Sequence, residues 1–555
     1  MSENSHSGKV RASLLVVTIV TSLIVVLVSR CGNLPVADPV ASTRPDGGGA
    51  LRMIQEEPVG LDPILSESVY ESLPVNQLFD TLVASDDSLN VVPSLAESWK
   101  ISRDGLQYDI RLRGDVRFHD GKVLTAEDVV FTFHRVLRIG GTDSLAYPYL
   151  TVIKGADEYV SGAATEMIGV TQRDERTVRF QLKHRNPLFL ELLTLDNLSI
   201  VPKHLLSGGN ADQDEAFARA PIGTGPFVFG EWTDDHIRLD RNSSYFGGPA
   251  HLDEVRLNFY GEEAGDYGEA RYLAGELDLL EPTSRSLARM QKLAGTNVQQ
   301  FQELSISFLG LNSSRPPLDQ RWLRQAIAHA IDRDRMVDAS PTLRRSAPGI
   351  LPPGIAGFTP EEKRLVYDPE RSKQLLAEAG HTDGRGLPPI RLYDPSGGSK
   401  PDAVIEQIIS DLAAVGIRFE RRAISWAEMG ERLDNGSCDA FVLAWVADMS
   451  DPDAFLSIFG ESGASNYFQF EDDVTRALLR DAGLEFEPAE RGRAFREVER
   501  YVLEQAPIVP LYHTRGALAS RAAVRGLQLS PYGIGRIELE HAWIQRPQIA
   551  GVLSP

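Results

Sequence analysis

Residues 401–446 switch repeatedly between two periodicities, and this constrains the fold more than any other stretch of the chain. AVIEQIISDLAAVG carries apolar side chains at helical spacing and stops at Gly416, and IRFERRAIS then reads as a strand. A further helix leads into the apolar strand that starts at Cys438. Helix, strand, helix and strand in succession define an α/β protein. The same texture begins at Leu51. YDIRLR (108–113) alternates apolar and polar residues as a half-buried strand does, and Gly114-Asp115 turns it into VRFHD. EWTDDHIRLDRN (231–242) and EVRLNFY (254–260) form a second strand pair. Leu323, Ala326, Ile327, Ala330 and Ile331 recur at spacings of three and four behind an Asp319 cap, while Pro369 opens and Gly380 closes another helix. FHDGKVLTAEDVVFTFHRVL (118–137) begins as a strand, turns at Asp120-Gly121-Lys122 and enters a helix through a Thr125/Asp128 capping box. A chain of 555 residues with this pattern divides into two or three domains.

Charge and cysteine content exclude some partners. The formal net charge of −21 argues against nucleic acid or an anionic membrane surface, both of which need a basic face. The two cysteines, Cys31 and Cys438, lie in contexts too different for a disulfide framework. The compartment is read from the N-terminus instead. Lys9 and Arg11 precede the uncharged segment 12–29, eighteen residues long, which Arg30 closes. This length sits between a signal-peptide core and a membrane span, and either one sends the remainder out of the cytoplasm. LVSRCG (27–32) resembles a bacterial lipoprotein cleavage box in which Cys31 carries the lipid, although Arg30 stands where a small residue is expected. Lipoprotein, uncleaved anchor and secreted protein therefore remain open. The following stretch to residue 50, rich in Pro, Gly and small residues, reads as a flexible tether.

Motifs of catalysis are missing. There is no HExxH, no GxxxxGK and no GxSxG. GTGPF (223–227) lacks the third glycine of a dinucleotide loop and reads as a turn. His119 and His134, fifteen residues apart with no cysteine beside them, lack metal-ligand spacing. Cys438 reads as a small core residue, and the pairs Glu262-Glu263 and Asp472-Asp473 as solvated faces. No cofactor and no metal is expected.

The order of motifs, taken together, resembles the family 5 extracellular solute-binding proteins, the oligopeptide and dipeptide receptors of ATP-driven importers. The resemblance runs through LDPILSES, LFDTLVASD, VVPSLAESWKISRDGLQYDIRLRGDVRFHDGKVLTAEDVVFTFHRVL and PIGTGPFVFGEW with LDRNSSYFGG. It continues in FLGLNSSRPPLDQRWLRQAIAHAIDRDRMV, VYDPERSKQLLAEAG, FVLAWVADMSDPDAFLSIF and APIVPLYHTRG. It implies a two-lobed periplasmic-binding-protein fold, type II-like with an extra subdomain, and a hinge between the lobes. Transferred here, 1–31 is the signal peptide or anchor and 32–50 the linker. Lobe one takes 51–84, 206–300 and 507–548, the extra subdomain 85–205, and lobe two 301–506. Chain crossings near Glu303 and Ala506 would form the hinge.

The resemblance also implies a ligand site. In the oligopeptide-binding members a Trp, two residues and an Asp occupy the position of Trp445 to Asp448, and that Asp meets the α-ammonium group of the peptide. Trp426 matches a tryptophan that lines side-chain pockets, Tyr512 stands near a pocket tyrosine, and 66–70 runs beside the cleft. A carboxylate desolvated by closure favours an amine, and flat indoles accept varied side chains. The bland alternative is that Asp448 caps a turn before Asp451-Pro452 and that both tryptophans are core. The expected protein is thus a monomeric, membrane-tethered, non-catalytic receptor that captures a peptide or another amine-bearing solute and hands it to a permease. Rival readings are a sensory protein on the same fold and a cleft hydrolase, which would need two facing acids.

Overall fold

The computed structural model describes residues 48–545 apart from 67, 87–88, 142–145, 261–266, 339, 341, 361–364, 396–402, 448 and 461–465. The apolar segment 12–29, Cys31, most of the linker, Glu262-Glu263 and Asp448 lie outside the described residues. No helix among the described residues is long and apolar enough to cross a membrane.

Alternating burial produces the first sheet. Its order is β1 (Ala50–Gln55), β10 (Glu254–Phe259), β9 (His236–Arg241) and β8 (Phe227–Trp232), with β1 parallel to β10 and the other pairs antiparallel. A second sheet is wholly antiparallel, in the order β4 (Ala96–Ile101), β5 (Gln107–Leu112), β7 (Thr177–Gln181) and β6 (Val170–Asp174). The largest has eight strands: β11 (Leu279–Leu280), β18 (Ile508–Arg521), β13 (Ser305–Leu311), β17 (Ala440–Val446), β15 (Ile390–Asp394) and β16 (Phe419–Ala423), with β12 (Thr296–Gln302) and β14 (Arg344–Ser346) also on β18. Two short ladders, β2 (Val83–Ser85) with β3 (Val91–Pro93) and β19 (Val524–Arg525) with β20 (Trp543–Ile544), complete the strands. All seven residues of β13 are buried, as a strand covered on both faces requires.

Residues 403–446 fold as their pattern predicts, with helices Ala403–Ala414 and Trp426–Asp434 alternating with β16 and β17. The turn and helix of 118–137 also form, whereas the strand expected ahead of them is reduced to an isolated bridge between Arg117 and Val123. Gly121 takes φ +88°, and Thr125 donates its N–H and hydroxyl to Asp128 Oδ2 at 2.9 and 2.8 Å, heading the helix Ala126–Gly140. That helix is scaffolding. Its buried Arg135 pairs with Asp62 and Asp214, each at 2.6 Å, and so fastens the second sheet's unit to the first. One local expectation is corrected: the helix Arg321–Ala330 is headed by Gln320, without a side-chain cap, and not by Asp319.

Two chain passages run within the eight-stranded sheet, from its β11 and β12 part to its β13 to β17 part. β12 ends at Gln302 and β13 starts at Ser305, so Glu303 and Leu304 make the first. β18 makes the second without a break: Ile508 to Tyr512 pair with β13, and Arg515 to Arg521 pair with β12. This passage falls within the strand, beyond Ala506, which in a left-handed conformation terminates the helix Pro488–Gln505.

Candidate functional site

Parallel β15, β16 and β17 bring their carboxyl ends to one side, the edge at which α/β sheets hold ligands. Trp445, next to last in β17, lies opposite Ile306, and its indole N–H donates to Ala454 O at 2.9 Å. The loop after β17 is held from both flanks. Asp451 and Arg491 form a buried bidentate pair with both bonds at 2.7 Å, and Asp451 Oδ1 accepts the N–H of Asp453 at 2.9 Å. The turn at Pro452 thus has Asp451 as its acceptor. On the other flank Glu191 Oε1 accepts from Ser450 N at 2.6 Å and from the Ser450 hydroxyl at 2.7 Å.

Trp426 opens the helix after β16, which Ser425 caps, and remains 65% exposed, so it is not a core residue. Tyr512 is half-buried beneath the Arg344 guanidinium, 4.5 Å from the ring centre. Register separates it from Trp445. Tyr512 pairs with Ser307 and Trp445 with Ile306, and neighbouring residues of a strand point to opposite faces. A register shift beside Ser307 is what turns Tyr512 to that face. Of the matched residues, then, Trp426 and Trp445 share the carboxyl-end edge, Tyr512 belongs to the other face of the sheet, and Asp448 and Cys31 lie outside the described residues.

Sequence reasoning missed an acidic, tyrosine-bearing wall. β1 and β10 end together at Gln55 and Phe259, which puts Glu56 beside Tyr260. Glu281 follows β11, whose Leu280 packs close to Ile54 and Tyr260 around Gly268. Tyr70 joins them through its carbonyl, which accepts from Gln55 Nε2 at 3.1 Å. Glu281 keeps solvent contact, yet the surrounding protein withholds enough water to push its carboxyl up to about 7, and the nearby Glu303 adds to the effect. Burial likewise raises the carboxyl of Glu303 and lifts the Tyr260 hydroxyl to about 12. Glu303 links the wall to the loop after β17, because its neighbour Leu304 accepts the N–H of Ala447 at 2.9 Å. Single glutamates spread from 56 to 303 carry no sequence signal. Only the fold collects them.

Other singled-out residues are structural. His119 Nδ1 accepts from Gly223 N and its Nε2 donates to Gly225 O, both at 3.1 Å, pinning the GTGPF turn under the end of the helix Val69–Leu78. Burial holds His119 neutral, with its imidazole lowered to about 4. His134 donates from Nδ1 to Val130 O and accepts at Nε2 from Met167 N. Cys438 is buried, its thiol pushed up to about 11. Asp472 is more than a solvated acid: it caps the helix Asp473–Gly483 by accepting from Thr475 N at 2.7 Å. Among the described residues, Glu538, Glu540 and His541 bring possible metal-ligand atoms within 4.8 Å of one another, with Glu538 and His541 exposed.

A two-lobed α/β fold with a hinge between its lobes is the architecture of the solute-binding proteins. The family model described as bacterial extracellular solute-binding proteins, family 5, middle, matches residues 90–467, and the chain belongs to that family. It is 32% identical over 498 residues to heme-binding protein A of Haemophilus influenzae, covering 86% of this chain and 89% of that protein. It is 30% identical to di/tripeptide-binding protein 2 of Pseudomonas aeruginosa, covering 85% and 91%. The periplasmic binding protein DppA of Helicobacter pylori, solved with the peptide STSA, superposes with a TM-score of 0.78 at 25% identity, covering 90% and 99%.

Proposed function

We propose that this protein is the extracytoplasmic receptor of an ATP-driven importer and that it binds a short peptide or another amine-bearing solute between its lobes. The observation that carries the reading is the pair of neighbouring acids Glu281 and Glu303, where the β12–β13 passage meets the loop that follows Trp445. Two carboxylates held near one another gain from a cationic partner, and an ammonium group supplies one. Similarity to a di/tripeptide-binding protein and to a receptor solved with STSA supports a peptide as the amine's bearer. Trp445 and Trp426 offer apolar surface that makes few demands on side-chain identity. In this reading Asp448 meets the amine, Tyr512 has the weaker claim because of its face, and no chemistry is performed on the ligand. The segment 12–29 and Cys31 support a tether at the outer face of the membrane, with lipid on Cys31, and the receptor acts as a monomer that docks on its permease.

Thermal unfolding of the protein from Leu51 onward tests this, with tri- and tetrapeptide mixtures in free-amine and N-acetylated forms. A ligand at about one hundred times its Kd adds roughly 2.7 kcal/mol to stability. Stabilisation by the free-amine mixture alone is expected. Equal stabilisation by both forms removes the amine from the reading, and none by either removes the peptide.

A further inference from the structure

β15 and the edge strand β16 carry guanidinium groups on one face of the eight-stranded sheet. Arg391 and Tyr393, two apart in β15, point to that face, and Arg422 stands opposite Tyr393 in the parallel ladder. The helix Trp426–Asp434 follows β16 and adds Arg432, which pairs with Glu428 one turn earlier at 2.9 Å. The guanidinium groups of Arg432 and Arg391 lie 5.2 and 5.9 Å from the ring centre of Tyr393. These residues line an open groove of about 560 Å³ that reaches Ile424, two residues before Trp426. The acids around it do not balance its charge. Arg421 is matched by Asp394 and Arg432 by Glu428, but Arg391 and Arg315 share the single carboxylate of Asp439, and Arg422 and Arg418 share Glu420. Among the described residues, two acids thus serve four guanidinium groups, a local surplus in a chain whose formal net charge is −21. Tyr393 supplies an independent sign. It is only 3% exposed, yet its hydroxyl has no hydrogen-bond partner among the described residues and is not sealed from solvent, so it meets the groove. A phenol this deeply set ordinarily has its O–H satisfied by protein.

We propose that this groove is an oxyanion site, which takes a carboxylate or phosphate group between the Tyr393 hydroxyl and the guanidinium groups of Arg391, Arg422 and Arg432. The donors are in place. Arg391 commits Nε and Nη2 to Asp439, at 2.7 and 2.9 Å, and keeps Nη1, while Arg422 commits Nη2 to Glu420 at 3.2 Å. A guanidinium has five N–H groups in a planar fork, so each retains donors for a second acid after its first is bound. The Tyr393 ring is held by the core, so its hydroxyl waits at a fixed point, and a bond from it to an anion is charge-assisted. The groove is opposite in sign to the acids Glu281 and Glu303, and it stands whether or not the receptor reading holds.

The test titrates inorganic phosphate and, separately, succinate into the full-length protein in a neutral detergent at low ionic strength, with calorimetry as the readout and Tyr393→Phe and Arg432→Gln as variants. Wild type should bind at least one of the two at millimolar concentration or below, and the tighter of them tells a phosphate site from a carboxylate site. Tyr393→Phe keeps the ring and its packing, and should weaken binding by about tenfold, because one hydrogen bond to a charged group is lost. Arg432→Gln should weaken it at least as much, and added sodium chloride should weaken wild type through screening. Absence of binding by both anions overturns the proposal. So does equal affinity in wild type and Tyr393→Phe, which leaves an adventitious ion only, held by the exposed arginines.

Discussion

At the scale of single residues, the binding chemistry turns on Glu281 and Glu303, two acids that the fold brings near one another. Glu281 illustrates the sign. Its carboxyl stands near 7 in the folded chain, above its ordinary value, so its contribution to stability is complete in acid and is lost as pH rises toward and through 7. Glu281→Gln should therefore unfold at a higher temperature than wild type at pH 8 and at about the same temperature at pH 4. Binding of an amine-bearing ligand should run the other way. Affinity should rise between pH 5 and 8, as the site sheds the proton that competes with the cation, and the slope should flatten in Glu281→Gln. Titration calorimetry across that range checks both the slope and the proton released. Trp445 and Trp426 were singled out through the family resemblance, each by its own local motif, whereas nothing in the sequence singled out Glu281 and Glu303. What singles them out is the approach of β1, β10 and β11 to the β12–β13 passage, a relation between distant segments with no trace in local sequence.

Elements were the most legible level, because each is specified within a dozen neighbouring residues. The capping box at Thr125 and Asp128 formed as read, since both residues act on the same helical turn. Asp319 misled because Asx residues are common just before helices, and here the helix begins two residues later, after Gln320. The loop after β17 shows what periodicity cannot reveal. Its turn rests on Asp451 and Arg491, forty residues apart and both buried. Asp451→Ala should cost about 3–5 kcal/mol, because it strands a buried guanidinium. Denaturant unfolding should show the loss, and the far larger part of it should persist with ligand absent.

For the whole molecule, the two passages of chain lie against each other as paired strands, β12 with the second half of β18. They pack closely: a Cβ on Gly516 would sit 2.0 Å from the ring of Phe301, its partner across the ladder. Gly516→Ala should therefore cost about 1–3 kcal/mol, as small-to-large changes at packed positions do, and calorimetry should show a lower Tm. The two-lobed architecture followed from the family resemblance, but the position of the second passage did not, since a strand that changes partner midway reads as one uninterrupted strand. β18 commits its first residues to β13 and its last to β12, and its alternation of side chains is interrupted once, by the register shift opposite Ser307 and Phe308. One residue added between Tyr512 and Arg515 would break the β14 ladder, which pairs Tyr512, His513 and Thr514 with Ser346, Arg345 and Arg344, and would demand a second shift of register in the same strand. Descendants of this gene can lengthen or shorten their surface loops freely, but at this point a change of length by one is closed to them.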